Sequence, residues 1–192
     1  MNHLVHKGVI SCWSCKGPAL SRALFCPVCE VIMPPCGLNH FDRLGVEKRF
    51  TLNMEDLERH YFAMQRRLHP DRFSTKSSKE KAISQQQAVS LNEAYETLKD
   101  PLKRAIYLLK EEGREIKTCP QLLAETMEAH EELAETPPSQ MGNFRNKIRQ
   151  KLRECEDDLT RLFDNEQNFE QASFVAARLQ FFHRLLGKIQ GD

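Results

Sequence analysis

Four cysteines near the N-terminus have the spacing of a metal site. Cys12-x-x-Cys15 and Cys26-x-x-Cys29 are two pairs separated by ten residues. Two such pairs can supply four thiolates to one tetrahedral zinc ion. Because four thiolates leave no open coordination position, the pattern predicts a structural zinc and not a catalytic one. The segment is too short to fold around its own apolar core, so metal binding would supply much of its folding free energy.

Two other uses of these cysteines are open but less well supported. Disulfides form in oxidising compartments, and the sequence has no secretory signal that would lead there. A redox-active Cys-x-x-Cys pair is typical of a βαβ context, which this sequence does not show. The remaining cysteines, Cys36, Cys119 and Cys155, belong to no such motif, and Cys155 lies near the apolar side of its predicted helix.

A second group of residues that could take part in chemistry is His69-Pro70-Asp71. Pro70 disfavours helical backbone at His69, so a helix should end there and leave both polar side chains on a stiff, exposed loop. An enzyme could use such a histidine as a general base oriented by the aspartate. However, no nucleophile or glycine-rich phosphate cradle accompanies the pair. An incidental helix-ending proline is the other alternative, since turns commonly use Pro and Asp.

The elements on both sides of this loop are predicted to be helices. Upstream, Tyr61, Met64 and Leu68 recur at spacings of three and four, which places them on one helix face. Three arginines are thereby turned largely toward solvent: Arg59, Arg66 and Arg67. Downstream, residues 79–98 carry an apolar set with helical spacing: Ile83, Leu91, Ala94, Tyr95 and Leu98. The two helices predict an antiparallel hairpin with a shared apolar seam.

Residues 39 to about 109 resemble the J-domain family. The resemblance rests on the loop, on Tyr61 and Leu68 before it, and on residues 91–98 and 100–104 after it. It implies that the loop and the basic face of the preceding helix dock a DnaK-type chaperone and trigger its ATP hydrolysis. The implied chaperone-binding residues are His69, Pro70, Asp71, Arg59, Arg66, Arg67 and Arg72. Arginines that steer an acidic partner surface predict a contact that weakens as salt rises.

The C-terminal half is predicted to be an antiparallel three-helix bundle. A helix through residues 105–109 ends near Gly113, and three more follow at about 120–135, 143–164 and 169–189. The first and last of these each carry two apolar stripes, although a bundle helix needs only one buried face. The second stripes are either buried against neighbours or exposed as a protein-binding patch with Glu128 and Glu131 on its rim.

The order of cysteine pairs, J-domain, Tyr107-Leu108-Leu109 extension and bundle is similar to the HscB family of iron-sulfur cochaperones. In that family, the bundle binds the scaffold protein IscU through its first helix and an aromatic residue late in its last helix. The resemblance places these positions at Leu123, Met127, Glu128, Glu131 and Phe181. Gln180 departs from the family's pattern, which often has a basic residue there. The cysteine pairs occur in only part of the family.

These observations predict an all-α protein with three parts. A tetracysteine segment covers residues 1–38, a J-domain hairpin 39–113 and a three-helix bundle 114–192. The predicted function is that of an adaptor, without covalent chemistry of its own, that stimulates a DnaK/HscA-type ATPase and delivers IscU to it. The alternative is a general J-domain cochaperone that presents unfolded clients. A zinc-ribbon nucleic-acid binder would need more than the basic and aromatic residues present near the cysteines: Lys16, Arg22, Trp13 and Phe25.

Composition limits the partners further. A net charge of +1 argues against bulk electrostatic capture of nucleic acid or membrane. No apolar run approaches the roughly 20 residues that span a bilayer. The first eleven residues lack the patterns of a cleaved leader, so the chain is expected to be soluble and complete. We therefore expect a bacterial cytoplasmic protein, with the mitochondrial matrix as the alternative.

Overall fold

The computed structural model describes residues 8–190 in two compact units. Within the described residues, one unit contains residues 8–48 and 53–98, and the other contains residues 49–52 and 99–190. Among the described helices, none combines the length and apolarity that a membrane span requires. The predicted absence of a leader concerns mainly residues 1–7, which lie outside the described part of the chain.

The first described residues of this unit form a small segment that carries the four paired cysteines. Strands β1 (Val9–Ser11) and β2 (Pro18–Leu20) form an antiparallel hairpin in which Val9 lies opposite Leu20. A small buried cluster lies beneath this hairpin, with Trp13 packed against it: Cys12, Ala19, Cys26, Val31 and Met33. Two of these five residues belong to the cysteine pairs, so the core of the segment and its candidate metal site share Cys12 and Cys26.

The rest of the first unit is the predicted helical hairpin. Helix α1 (His40–Leu44) is followed by α2 (Met54–Leu68) and α3 (Ser78–Lys99). The rings of Tyr61 and Tyr95 stack with centroids 4.1 Å apart near the middle of α2 and the end of α3. At the other end of the hairpin, the buried Ser84 hydroxyl donates to the Leu68 carbonyl at 2.7 Å. The two contacts confirm an antiparallel arrangement.

Within the described residues, the second unit contains four α-helices. These are α4 (Pro101–Glu111), α5 (Pro120–Glu135), α6 (Met141–Thr160) and α7 (Phe169–Gln190). The predicted all-α fold and its C-terminal bundle are confirmed, and α4 also packs against α7. Gly113 adopts a left-handed φ of 67° after α4, as a residue that terminates a helix often does. The predicted division into domains at residues 38 and 113 stays a prediction.

Residues 49–52 are held within the second unit by one carboxylate and by contacts of one aromatic ring. Asp164, which follows α6 in a π-helical turn, accepts hydrogen bonds from the backbone amides of Phe50 at 2.6 Å and Thr51 at 2.9 Å. The buried Phe50 ring stacks on Phe163, with centroids 5.6 Å apart. On the same ring, the Arg104 guanidinium carbon lies 4.9 Å from the centroid. Two donors and two ring contacts thus fix this short segment.

A charged fork ties α5 to α7. The Arg178 side chain donates to both carboxylate oxygens of Glu125, with Nε to Oε2 at 2.6 Å and Nη2 to Oε1 at 2.7 Å. Lys151 of α6 adds a third contact at 3.5 Å. The bonds from Arg178 lower the pKa of Glu125 below its ordinary value, and the same bonds raise the pKa of Arg178. Because its donors are charged and arranged as a fork, this contact is the strong kind of polar pair.

Replacement of Glu125 by glutamine should make the stability of the bundle less dependent on acid. At neutral pH, Glu125→Gln should lower the free energy of unfolding by about 2 kcal/mol, the range for hydrogen bonds to charged groups. The carboxyl titrates near 4.5 in the unfolded chain and lower in the folded chain, so its stabilisation is present above 4.5. It is lost as the pH falls through the lowered native pKa.

Urea denaturation at pH 7 and at about pH 3 measures this difference. The gap between wild type and Glu125→Gln should shrink at the lower pH. Glu135→Gln, at an exposed position of the same helix, serves as the control and should show little gap at either pH. A gap of equal size at both pH values would contradict the proposed role of the ionised carboxylate.

Candidate functional sites

The four paired cysteines form one cluster. Their Sγ atoms all lie within 4.8 Å of one another, so together they could hold a metal ion. Cys12 and Cys26, the first cysteine of each pair, are buried, whereas Cys15 and Cys29 are exposed. Each pair therefore offers one inner and one outer thiol, which is the donor set that the spacing predicts.

The two cysteine pairs have the same backbone conformation. In each pair, the amide two residues after the first cysteine donates to its Sγ at 3.4 Å, from Ser14 in one and Val28 in the other. The residue after the second cysteine is left-handed, with φ of 62° at Lys16 and 58° at Glu30. Glycine is the usual residue in that region, so residue type alone did not mark these two positions.

The thiols in the cluster differ in acidity. Burial raises the pKa of the Cys12 thiol, but hydrogen bonds from the backbone of Cys15 and Ser14 and from neighbouring thiols outweigh it and bring this pKa to about 6. The Gly17 amide lowers the pKa of the Cys15 thiol, but its neighbours, Cys29 foremost, raise it to about 12. Metal ligation requires thiolates, and the lowered pKa of Cys12 favours the thiolate form at this position.

The His69-Pro70-Asp71 loop is exposed, as predicted. Helix α2 ends at Leu68, and Pro70 begins a short 3-10 turn that runs to Phe73. The side chains of His69 and Asp71 are 55% and 89% exposed. His69 Nδ1 accepts from the Asp71 amide at 3.3 Å, which orients the imidazole at the entrance of the turn. The loop therefore presents both polar groups to a partner instead of enclosing them in a cleft.

All four predicted arginines of the basic face are exposed. Arg59, Arg66 and Arg67 lie on α2, and Arg72 lies in the turn after it. Arg59 pairs with Asp56 one turn earlier at 2.6 Å. The structure thus brings Arg66, Arg67 and Arg72 to the end of α2 that holds the loop, while Arg59 lies two turns away from it.

The second apolar stripe of α5 is exposed. Leu123 and Met127 are 64% and 58% exposed, and Glu128 and Glu131 lie beside them on solvent-facing positions of the same helix. On α7 the second stripe is more enclosed, since Leu185 is buried and Phe181 is half-buried. Of the two alternatives, exposure therefore applies to the second stripe of α5, and burial against neighbours applies largely to the second stripe of α7.

Leu123 and Phe181 line one cavity of about 530 Å³ between α5 and α7. The Phe181 ring makes an edge contact with His130, with centroids 5.7 Å apart. Glu128 lines a neighbouring cavity of about 520 Å³, while Met127 and Glu131, on the same helix, line neither of these two cavities. Arg184, which was not predicted from the sequence, lines the cavity of Phe181 one turn after that residue and adds a basic group where Gln180 does not.

Comparisons with known proteins agree with this arrangement. Residues 39–107 match the DnaJ domain family, and residues 119–190 match the HSCB C-terminal oligomerisation domain family. The human protein named iron-sulfur cluster co-chaperone protein HscB is 32% identical over 190 residues, which covers 93% of this chain and 80% of the human protein. A co-chaperone protein HscB homolog of Vibrio vulnificus (strain YJ016) is 32% identical over 168 residues, covering 80% of this chain and 95% of the relative.

The fold of a solved relative is also similar. The crystal structure of human co-chaperone protein HscB matches with a TM-score of 0.86 and 31% identity, covering 93% of this chain and 96% of that chain. The helical hairpin with its exposed loop and the C-terminal bundle are thus accompanied by sequence similarity over nearly the whole chain. The chain therefore belongs to the HscB family of J-domain co-chaperones of iron-sulfur cluster assembly.

Proposed function

We propose that this chain stimulates ATP hydrolysis by a DnaK/HscA-type chaperone and delivers an IscU-type scaffold protein to it, in support of iron-sulfur protein maturation. One observation carries this proposal. The chain exposes a polar, basic surface on one compact unit and an apolar, acid-rimmed surface on the other. Two surfaces of such different chemistry are suited to two different partners, as an adaptor requires.

The chaperone contact is proposed to be electrostatic and geometric. Arg66, Arg67 and Arg72 would attract an acidic chaperone surface, and the Pro70 turn would present His69 and Asp71 for hydrogen bonds. A loop that is already held in one conformation loses little conformational freedom when it binds. The chaperone would carry out the hydrolysis, and this chain would supply only contacts that favour the hydrolysing state.

The scaffold contact is proposed to form on α5 and α7. Exposed leucine and methionine side chains are costly in water unless a partner covers them, and Leu123 and Met127 lie one turn apart. Phe181 would contribute an aromatic side chain in the wall of the cavity beside Leu123. Glu128 and Glu131 would form an acidic rim that favours a partner with basic residues at the matching positions.

One chain that holds both partners raises the concentration of each near the other. Delivery therefore does not require a high direct affinity between scaffold and chaperone, because this chain makes a modest contact with each of them. This effect gives a physical reason for joining the two surfaces in one polypeptide.

Variants that change one surface at a time should separate the two activities. His69→Gln and Asp71→Asn should abolish stimulation of the chaperone ATPase and retain scaffold binding. Leu123→Ala with Phe181→Ala should weaken scaffold binding at least tenfold, as loss of central apolar anchors commonly does, and retain stimulation by the chain alone. Steady-state ATP hydrolysis and calorimetric titration of the scaffold measure the two activities.

Val89→Ala provides a matched control, because Val89 is an exposed apolar side chain of α3 outside both surfaces. It should change neither activity. Equal loss of both activities in every surface variant would contradict the separation of roles. Binding of unrelated denatured proteins as tightly as the scaffold would favour a general cochaperone instead.

We also propose that the four cysteines hold a structural zinc ion. Soft thiolate donors suit zinc, and the clustered Sγ atoms with amide donors beside them form a fitting ligand set. When bound, the ion would link the two cysteine pairs and stabilise the segment. The seven cysteines all lie within the described residues, and none of them forms a disulfide there, so the four clustered thiols are available as ligands.

Gly17 should be required for full metal affinity. A Cβ atom at this position would lie 3.1 Å from Val28 Cγ2 and 3.2 Å from Cys15 Sγ, so Val28 or the Cys15 thiol would have to shift by a few tenths of an ångström. Gly17→Ala should therefore lose zinc to a chelator at a lower chelator concentration than wild type does. Gly37→Ala is the control, because nothing lies within 4 Å of a Cβ there. Equal zinc retention in both variants would show that the close approach of the pairs does not matter for binding.

A further inference from the structure

The cysteine segment packs directly on the helical hairpin of its own unit. The buried side chain of Gln87, on α3, donates from Nε2 to the Met33 carbonyl at 2.8 Å. The Trp13 indole donates from Nε1 to the Ile32 carbonyl at 2.8 Å, which fixes the indole within the segment. The Gln87 bond attaches the segment to the hairpin. Neither hydrogen bond uses the ring faces of Phe25 and Trp13, the two half-buried aromatic side chains of the segment.

Each of those aromatic faces holds a cation of the hairpin. The guanidinium carbon of Arg67 lies 5.2 Å from the centroid of Phe25, and the Lys79 ammonium lies 4.2 Å from the centroid of Trp13. Both distances are within the range of favourable cation-π contacts. Arg67 comes two residues before His69, on the basic face assigned to the chaperone. The segment therefore restricts a side chain that otherwise has a large choice of rotamers.

A small groove lies at the same junction. It has a volume of about 230 Å³, with Phe25, Glu30 and Ile32 of the cysteine segment on one side. Its other lining residues come from the region around the loop: Arg67, Arg72, Phe73, Lys76 and Glu80. The groove is thus continuous with two of the arginines assigned to chaperone binding.

The charge of the groove favours an acidic occupant. Three cations line it against two carboxylates, and one of these, Glu80, already accepts from the Ser77 amide at 3.0 Å and hydroxyl at 2.7 Å. Those bonds lower the pKa of Glu80 and use part of its capacity as an acceptor. Arg67, Arg72 and Lys76 therefore dominate the local field, and an acidic chain segment is the complementary ligand.

We infer that the cysteine segment forms part of the chaperone-binding surface. Phe25 is a positioning residue that holds Arg67 toward the groove, and the groove accepts an acidic segment of the chaperone ATPase. This inference rests on the proposed chaperone partner. It assigns the segment a role in recognition in addition to its own metal-dependent stability.

A double-mutant cycle between Phe25 and Arg67 tests the positioning role. Phe25→Leu keeps an apolar side chain but removes the aromatic face, and should raise the chaperone concentration for half-maximal stimulation about three- to tenfold. Arg67→Ala should weaken it at least as much. In the Arg67→Ala background, Phe25→Leu should have no further effect, because the group that it positions is absent. A merely structural defect would add to the Arg67→Ala effect.

Two controls keep the outcome interpretable. Val9→Ala, at an exposed position of the same segment, should leave stimulation unchanged, and zinc content and scaffold binding should be normal in all variants. Fluorescence gives a second readout, because Trp13 is the only tryptophan of the chain. Its emission should change when the chaperone binds and stay constant when the scaffold binds alone.

The inference is overturned if the Phe25→Leu and Arg67→Ala effects add, or if Phe25→Leu has no effect while His69→Gln abolishes stimulation. In both cases, the proposed function itself survives. If His69→Gln also leaves stimulation intact, the chaperone contact lies elsewhere, and the proposed function fails together with this inference.

Discussion

Pro70 imposes the constraint on which the first unit, with its proposed chaperone-binding loop, depends. Its ring excludes helical backbone at His69, so α2 has to end at Leu68. The freed Leu68 carbonyl is then satisfied by the buried Ser84 hydroxyl of α3, which locks the turn onto the hairpin. A local steric rule thereby becomes a tertiary contact. The same contact fixes where the polar loop stands relative to the arginines at the end of α2.

In the second unit, an apolar surface of α5 stays exposed while the helix remains packed in the bundle. Helix α5 buries Leu122 and Ala129 but leaves Leu123 and Met127 in solvent. The fork between Glu125 and Arg178 holds α5 on α7 through polar contacts, so that the helix stays attached although part of its apolar surface remains exposed. Charged contacts therefore replace some of the apolar burial that would otherwise cover the exposed face of α5.

Features that depend on neighbouring residues were predictable from the sequence. Prolines 70, 101 and 120 mark helix boundaries because their effect on the backbone is local, and the cysteine spacing predicted a cluster because a short turn brings each pair together. Contacts between distant residues were not predictable. Asp164 binds the amides of residues 50 and 51 across more than a hundred residues of sequence, and nothing in the residue type of an aspartate indicates such a partner. Phe25 under Arg67 is a contact of the same kind, since it requires the segment to be packed on the hairpin.

Coupling between the two surfaces is the central claim, and single-turnover ATP hydrolysis by the chaperone measures it most directly. The rate is compared for the chaperone with this chain, with the scaffold, and with both, at concentrations below saturation. If one chain holds both partners, the rate with both should exceed the sum of the separate stimulations, because each contact raises the local concentration for the other. A rate equal to that sum would contradict the adaptor account.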